Sequence, residues 1–316
     1  MVLAPARRIA YLFPLNVQRI IVELGIRMTK FAVGKRKISI QYRPQEEVSF
    51  EVVLSASEFG GISIYFFYLL HGHWKHEVYE QEVVNHLLSR AGRCSVIDVG
   101  ASYGMYSLLA ASLPNVEKVI AIEASPVTCT YLGATLAKNC LQRRVTLLNS
   151  ACSSKSDENF TLVEKVNSEW NQVAPSEFFD VNSIRSICVD RLVQDLIPLE
   201  SVVFVKMDIE GHEPDAFAGM RELFGSGRDF AVMFEFHVGL LESTGKGTEN
   251  FASALFQIPN STLYLLDVKR STLQDLDCLA LCDLIETARR AEHPLNLFNL
   301  LLIRNSLRHL LPLPLP

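Results

Sequence analysis

The stretch from Cys94 to Leu109 constrains the fold of this chain more than any other. It opens with a short apolar run, Val96-Ile-Asp-Val99, which predicts a buried strand, and Gly100 and Gly104 then bound a turn. Apolar residues recur at helical spacing from Met105 onward. The order of strand, glycine turn and helix is typical of an α/β fold, in which a ligand binds at the turn and at the start of the helix.

The spacing of the glycines indicates which ligand to expect. A dinucleotide site needs G-x-G-x-x-G, whose second glycine lets the backbone approach the pyrophosphate, and this chain lacks that glycine. Asp98 instead stands two residues before Gly100, where an ionised carboxylate would repel a pyrophosphate and suit a cation. S-adenosylmethionine carries a sulfonium and an amino group. We therefore predict it as the cofactor, and a dehydrogenase is the weaker alternative.

Composition and charge limit the remaining possibilities. The chain has 316 residues, of which 49% are hydrophobic and 21% charged, enough for one large α/β domain with an appendage. Lys and Arg concentrate in residues 1–45, where Glu23 is the single acid, and the rest of the chain is acidic. An acidic body does not predict a nucleic-acid partner. The seven cysteines form no regular framework, which favours a reduced, cytoplasmic chain.

The basic N-terminal stretch is expected to differ from the main domain. We predict a basic helical segment and a small β-element in residues 1–70, forming an N-terminal α/β extension, and the main domain in residues 71–316. No apolar run in residues 1–34 is long enough to span a bilayer. A helix packed on the domain or a partner subunit, peripheral contact with a membrane surface and organelle targeting are the three interpretations of these residues.

Histidines cluster between His71 and His86. Their first three follow the spacing His-x-His-x-x-His, which invites a metal interpretation, but a helix from about 74 to 89 would place His76 and His86 on different turns. No metal is predicted. The helix is instead expected to cover the mouth of the site, with an inward face made of Tyr79, Val83 and Leu87.

A second strand ends in another acid. The run from Lys118 is apolar up to Glu123, which stands where an acid at the end of a second strand accepts hydrogen bonds from two ribose hydroxyls. Ser125 and Pro126 then predict the N-cap and the first position of a helix. A third strand ends at Asn149, whose side chain is expected to meet the adenine edge.

The second informative stretch is Lys-Met-Asp-Ile-Glu-Gly-His-Glu-Pro-Asp, residues 206–215, which follows a fourth strand. Ionisable residues are dense here, at the carboxyl end of a strand and before a helix. Glu213 and Asp215 have a structural explanation, because acids in the first turn of a helix favour its dipole. The helix dipole does not explain the other ionisable residues of this stretch, which are Lys206, Asp208, Glu210 and His212.

These two stretches together resemble the FkbM-like methyltransferases, with Ile122-Glu-Ala-Ser-Pro126 similar to the second-strand motif of that family. The resemblance covers roughly residues 75–303, and its departures are Ser102 in place of the usual Asn and Ala124 in place of the usual Pro. It implies an enzyme with the Rossmann-like class I fold, a seven-stranded, mostly parallel sheet with an antiparallel last hairpin, and S-adenosylmethionine-dependent O-methylation. Residues 1–45 lie outside it.

Two groups of site residues are expected. The cofactor-binding group lies at the ends of the strands and comprises Asp98, Gly100, Ala101, Ser102, Gly104, Tyr106, Glu123, Asn149 and Asp208. In the catalytic group, His212 or Asp208 is the base that takes the proton of an acceptor hydroxyl, while Lys206 and Glu210 orient the acceptor. His212 also has a simpler interpretation, as a helix-start residue hydrogen-bonded to the backbone.

Two alternatives accompany this hypothesis. In one, Asp208 and Glu235, with His237, hold a divalent cation that polarises a pair of hydroxyls. In the other, the fold has lost its chemistry and serves as a scaffold attached through residues 1–45 to a membrane or partner. The acceptor is open among a small molecule, a glycan, a lipid and a peptide. Its pocket is expected to come from segments 71–90, 151–185 and 237–248.

Overall fold

The computed structural model describes residues 37–45, 48–55, 77–163, 172–175, 183–290 and 297–312, together with residues 61, 64, 65 and 68. The predictions for residues 1–36 and for the histidines at positions 71, 73 and 76 lie outside these ranges. The same is true of most of segment 164–182.

The first part of the described chain is a hairpin followed by alternating helices and strands. The hairpin consists of β1 (Lys37–Gln45) and β2 (Val48–Ser55). Helix α1 (Val78–Arg90) then leads into β3 (Cys94–Val99), α2 (Met105–Ser112), β4 (Val116–Glu123), α3 (Pro126–Lys138) and β5 (Val145–Asn149).

A small sheet follows, made of β6 (Ala151–Cys152), β7 (Asn159–Val163), β8 (Gln172–Pro175) and β9 (Ser183–Ile187). The main sheet then continues through α4 (Val189–Leu196), β10 (Val202–Met207), α5 (Glu213–Ala218), α6 (Arg221–Gly225) and β11 (Phe230–His237). The last elements are α7 (Val238–Ser243), α8 (Thr248–Leu255), β12 (Ser261–Asp267), β13 (Thr272–Leu276), α9 (Cys278–Arg290), β14 (Leu297–Arg304) and a 3-10 helix over Asn305–Leu310.

The main sheet has eight strands in the order β13-β12-β14-β11-β10-β3-β4-β5. The five strands from β11 to β5 are parallel, whereas β14 runs antiparallel to both β11 and β12. From β3 the chain winds outward to β5 and then crosses back to β10 on the other side. The carboxyl ends of β3 and β10 therefore flank a topological switch point, where open α/β sheets bind ligands.

The sheet differs from the expected seven strands by one edge strand, β13, which pairs antiparallel with β12. Its sequence, Thr-Leu-Gln-Asp-Leu, was not recognised because Leu276 is its single buried residue. Segment 151–185, for which no strand was predicted, contributes to the small sheet, whose order is β6-β9-β7-β8. Its strands have two to five residues, too short for a clear alternation of polar and apolar positions.

The helix predicted to follow residues 206–215 is divided into α5 and α6. The division falls at Gly219, where the backbone packs so closely that an added Cβ would lie 2.4 Å from the carbonyl oxygen of Ser153. The helices predicted from Met105, from Pro126 and over about 74–89 are present as α2, α3 and α1. Ser125 caps α3 by accepting the N–H of Thr128, with Pro126 in the first turn, and the predicted inward face of α1 is buried.

Apolar side chains form a core on each face of the main sheet. Successive residues of β3 alternate between the two, since Val96 packs with α1, α2 and α3 and Ile97 packs with α4, α5 and α8. The β1–β2 hairpin joins the first core through Tyr42 and Val52. Of the helices that the structure describes, none combines the length and apolar character needed to span a bilayer.

Candidate active site

The turn between β3 and α2 approaches the end of β10 so closely that its first residue must be glycine. Gly100 has φ +76°, and an added Cβ would lie 1.9 Å from the carbonyl oxygen of Asp208. The N–H groups of Gly100 and Ala101 both donate to the carbonyl oxygen of Ile122 at 2.9 Å. Gly104, with φ +91°, closes the turn against Leu132. Gly100 thus brings the ends of β3, β4 and β10 together, and Gly104 packs the start of α2 against α3.

Asp98 is buried beneath this turn. Its side chain is 2% exposed, and its Oδ2 accepts a hydrogen bond from Ser107 Oγ at 2.6 Å. Burial raises the pKa of Asp98 to about 6, against the opposing effects of the Ser107 hydroxyl and the Lys206 ammonium. Near neutral pH this carboxylate is therefore ionised in a poorly solvated place, where a cation nearby stabilises it.

Glu123 joins the first turn to the start of α3. Its Oε2 accepts the N–H of Ser102 and its Oε1 accepts the N–H of Ser125, both at 2.8 Å. Burial raises its pKa to about 7, although these backbone hydrogen bonds favour the ionised form. Each carboxylate oxygen accepts more than one hydrogen bond, so Glu123 retains the capacity to accept from hydroxyls.

Two other expected cofactor residues have structural partners. Asn149 donates through Nδ2 to the carbonyl oxygens of Glu123 and Ala124, at 2.8 and 3.0 Å. Its amide nitrogen therefore ties the ends of β4 and β5 together. Tyr106 is buried in α2, and its hydroxyl donates to Glu77 Oε2 at 2.6 Å. Glu77 was not predicted from the sequence, in which an acid before a helix is an ordinary feature.

Lys206 is a buried cation in β10. It is 2% exposed, with its Nζ 5.2 Å from the centroid of the Tyr106 ring and 3.9 Å from Asp208 Oδ2. Burial by itself lowers the pKa of Lys206, but the carboxylates of Asp208, Glu77, Glu235 and Asp98 outweigh that effect and raise it. Lys206 is therefore a buried positive charge held at the end of β10.

Acids line the crevice at the ends of β10 and β11. Asp208 follows β10, and its neighbour across the strands, Glu235, lies in β11. Burial, together with the Asp208 charge, raises the pKa of Glu235. Glu210 follows in a turn with φ +55° and adds to that effect. Three of the expected residues, Lys206, Asp208 and Glu210, therefore lie at one edge of the sheet.

His212 lies in a different environment. It is 5% exposed, its Nδ1 is 2.6 Å from Lys246 Nζ, and its Nε2 is 3.4 Å from Ser153 Oγ. An ammonium only donates, so Nδ1 accepts and Nε2 carries the proton that Ser153 receives. Burial and the Lys246 charge lower the pKa of His212 to about 3. Both ring nitrogens contact side chains of distant residues, which argues against a free base. The ring makes no capping hydrogen bond to the backbone at the start of α5, so the simpler interpretation holds for its position and not for its partner.

Lys246 was not singled out from the sequence. It stands between Gly245 and Gly247, both with positive φ, and contacts the carboxylate of Asp215 as well as His212. The tripeptide Gly-Lys-Gly in a loop was the available signal. Lys246 fastens this loop to the first turn of α5.

The alternative with a divalent cation lacks a complete ligand set. Across the ranges that the structure describes, no three His, Cys, Asp or Glu side chains are grouped so that they could hold a metal ion. His237, the expected third ligand, uses Nδ1 to accept the N–H of Leu240 at 3.2 Å, which begins α7. This contact directs the ring to the helix start.

The strand order and the crevice at its switch point define the class of the protein. An α/β sheet that is parallel from β11 to β5 and antiparallel beyond, with an acid closing β4 and another near the end of β3, is a Rossmann-like class I methyltransferase fold.

The family follows from the sequence of the same region. Residues 98–254 match the family described as the methyltransferase FkbM domain. Through this domain the chain belongs to the FkbM-like methyltransferases, which makes it an S-adenosylmethionine-dependent methyltransferase. No curated protein sequence matches the chain significantly.

Solved structures overlap with the chain to a limited extent. An O-methyltransferase from Bacillus cereus shares 14% identity and a TM-score of 0.39, over 71% of this chain and 81% of its own. An O-methyltransferase from Streptomyces achromogenes that is involved in tomaymycin synthesis shares 15% identity and a TM-score of 0.37, over 71% and 80%. A precorrin-6y C5,15-methyltransferase from Geobacter metallireducens shares 12% identity and a TM-score of 0.36, over 71% and 87%.

Proposed function

We propose that this methyltransferase acts on a hydroxyl oxygen of a small molecule, glycan or lipid, and that Asp208 is the base. The observation that supports the proposal is the contact between the glycine turn and the end of β10, because it brings the donor turn against Asp208. A base beside the donor is what oxygen methylation needs, since the acceptor must lose one proton.

The residues of the crevice fit the charge of the donor. Asp98 and Glu123 are buried carboxylates at the ends of the first two strands, and a cationic ligand would offset the cost of ionising them there. When bound, the donor supplies a methyl carbon activated by its sulfonium. The protein then holds the acceptor oxygen about 3 Å from that carbon and in line with the breaking bond. Asp208 takes the hydroxyl proton.

Donor binding tests the first half of the proposal. Calorimetry with S-adenosylmethionine and S-adenosylhomocysteine should give saturable heats for the wild type. We expect Asp98→Asn and Glu123→Gln to weaken binding by about tenfold or more, since each loses a charge-assisted interaction. Asp195→Asn, an exposed acid of α4 remote from the strand ends, is the matched control and should bind normally. An absence of heat in the wild type would instead support the scaffold alternative.

Acceptor identification tests the second half. Extracts incubated with wild-type protein and donor are compared by mass spectrometry with extracts incubated with Asp208→Asn. A product that gains one methyl group in the first sample and not in the second supports both the activity and the base. Methylated nitrogen or carbon in that product would overturn the assignment to oxygen, whereas equal yields from the two proteins would remove Asp208 as the base.

The charge of residues 1–45 supports peripheral membrane contact as a further part of the proposal. Basic residues near an anionic surface contribute about 1 kcal/mol each. Full-length protein should therefore sediment with vesicles that contain phosphatidylserine and not with neutral vesicles. Replacing Arg7, Arg8 and Arg19 by Glu should abolish the difference. Equal sedimentation with the two vesicle types would contradict membrane contact.

A further inference from the structure

One histidine joins two of the segments that are expected to form the acceptor pocket. His212 stands at the start of α5, directly after the acid-bearing turn of residues 208–211. On the side of the small sheet, its Nε2 lies 3.4 Å from Ser153 Oγ, and its ring packs edge-on against Phe160 with 5.5 Å between centroids. On the side of the loop between α7 and α8, its Nδ1 lies 2.6 Å from Lys246 Nζ. The small sheet and this loop therefore meet at His212.

Lys246 is held in this position by side chains. It is 23% exposed, and its ammonium contacts the carboxylate of Asp215 as well as His212. Gly245 and Gly247 have φ +68° and +73°, which lets the chain turn on both sides of the lysine. A neutral apolar side chain at position 246 would remove both contacts and leave the backbone path of the loop available.

The helices on either side of the loop have a separate attachment. Arg289 of α9 forms ion pairs with Glu242 of α7, at 2.6 Å, and with Glu249 of α8. These pairs fix both ends of the loop on α9 without the help of Lys246. Loss of the Lys246 contacts should therefore release the middle of the loop and leave its ends in place.

The acid-bearing turn lies directly against α7 and the loop. Gly211 has φ +93°, and an added Cβ would lie 3.1 Å from Leu240 Cβ in α7. Thr244 Oγ1 lies 3.5 Å from the carbonyl oxygen of Gly211. Within the turn, Glu213 Oε1 accepts the N–H of Ile209 at 3.0 Å. The turn is thus placed by the start of α5 on one side and by α7 and the loop on the other.

We propose that Lys246 is a positioning residue for the acceptor side of the reaction and acts through His212 on the turn 208–211. This inference rests on the proposed function, in which Asp208 is the base. The donor turn is attached separately, through the backbone hydrogen bonds of Glu123. Lys246 therefore affects the acceptor and not the donor, because it fixes the acids that the acceptor meets in one arrangement.

Hydrogen exchange of the donor-free protein, followed by mass spectrometry, tests this role without an acceptor. In Lys246→Met we expect exchange about fivefold faster than in the wild type over both 208–213 and 244–250, because the released loop no longer holds the turn. Lys155→Met, which changes an exposed lysine before β7, is the control and should match the wild type. Faster exchange confined to 244–250 would overturn the proposal, as would unchanged exchange in both segments.

Two further variants keep the test valid if Lys246→Met fails to fold. Lys246→Arg retains the positive charge and should exchange within about twofold of the wild type. Asp215→Asn removes one partner of the ammonium and should accelerate both segments. An effect on the dipole of α5 alone would not reach 244–250. Equal acceleration in Lys246→Arg and Lys246→Met would reject a contact that depends on charge, and an unchanged Asp215→Asn would also contradict the proposal.

Turnover separates this inference from the proposed function once an acceptor is known. Lys246→Met should lower kcat/KM for the acceptor by about tenfold, while the Kd of S-adenosylmethionine stays within about twofold of the wild type. A matching loss of donor affinity would overturn the assignment to the acceptor side. Absence of donor binding in the wild type would refute the proposed function, whereas normal donor binding with unchanged kcat/KM in Lys246→Met would refute the role of Lys246 alone.

Discussion

At the scale of single residues, the crevice depends on glycine, because the absence of a side chain lets two backbone segments pack closely. Gly100 lets the turn after β3 pack against the carbonyl oxygen of Asp208. The turn expected to bind the donor is therefore adjacent to the acids that follow β10. Glu123 then fastens that turn to α3 through Ser102 and Ser125. The sequence predicts that Glu123 accepts hydrogen bonds from two ribose hydroxyls. In the structure its carboxylate also stabilises the turn by accepting backbone N–H groups.

Gly100→Ala tests the close approach at this turn. The added Cβ meets a backbone atom at 1.9 Å and the residue has φ +76°, so both sterics and backbone strain oppose the change. We expect a loss of stability above the 1–3 kcal/mol typical of a strained backbone position alone. Urea unfolding measures it. Gly92→Ala, with φ +68° and no atom within 4 Å of the new Cβ, is the matched control and should show the backbone cost only. Equal losses would show that the contact with Asp208 is unimportant.

At the scale of elements, the N-terminal hairpin is part of the body of the protein. Its apolar face joins the same core as α2 and α3, and its backbone donates hydrogen bonds to Thr135 of α3 and to Asn139, the C-cap of that helix. Tyr42 of β1 reaches across to Gln81 of α1 at 2.6 Å. The hairpin therefore supports the helices whose first turns line the crevice.

The substitution Thr135→Val tests how much one buried hydrogen bond between the hairpin and α3 contributes to the free energy of unfolding. Thr135 Oγ1 accepts the N–H of Val53 at 2.9 Å in a buried position, and valine has the same shape without the acceptor. The unpaired N–H should cost about 1–3 kcal/mol. Thr130→Val on the same helix is the control, because its hydroxyl is exposed and donates to the carbonyl oxygen of Pro126 in its own helix. A similar effect of the two substitutions on thermal unfolding would contradict this account.

At the scale of the whole molecule, the charges at the strand ends set the response to pH. Burial raises the pKa of Asp98 to about 6 and the pKa values of Glu123 and Glu213 to about 7. The folded chain therefore binds protons more tightly at these sites than the unfolded chain, in which they titrate near pH 4. Stability from these groups is present at low pH and is lost as pH rises toward 7.

The donor should reverse this trend. Without ligand, we expect the contribution of the three acids to lower the thermal midpoint between about pH 5 and 7.5. With saturating S-adenosylmethionine, the upward shift of the midpoint should grow over the same range, since the ionised carboxylates attract the cation. Differential scanning calorimetry measures both. Glu123→Gln should reduce the pH dependence of the shift, and a shift that is constant with pH would contradict a carboxylate-lined donor site.

The sequence by itself determined the main elements of the fold and the position of its two acidic strand ends. Hydrophobic runs, glycines and the Ser-Pro cap are local signals, so the strands ending near Asp98 and Glu123 and the start of α3 were predicted correctly. Strands β6–β9 and β13 were missed because they have only two to five residues, too few for a clear periodic pattern.

Tertiary structure alone decided what each ionisable side chain faces. His212 and Asp208 are four residues apart in one motif, yet His212 packs with Lys246 and Ser153 whereas Asp208 follows the end of β10, beside β11. Such partners come from distant parts of the chain, and their burial sets which groups keep a proton. Sequence spacing specifies that a charge lies near a strand end, but packing between strands specifies its protonation and therefore its chemistry.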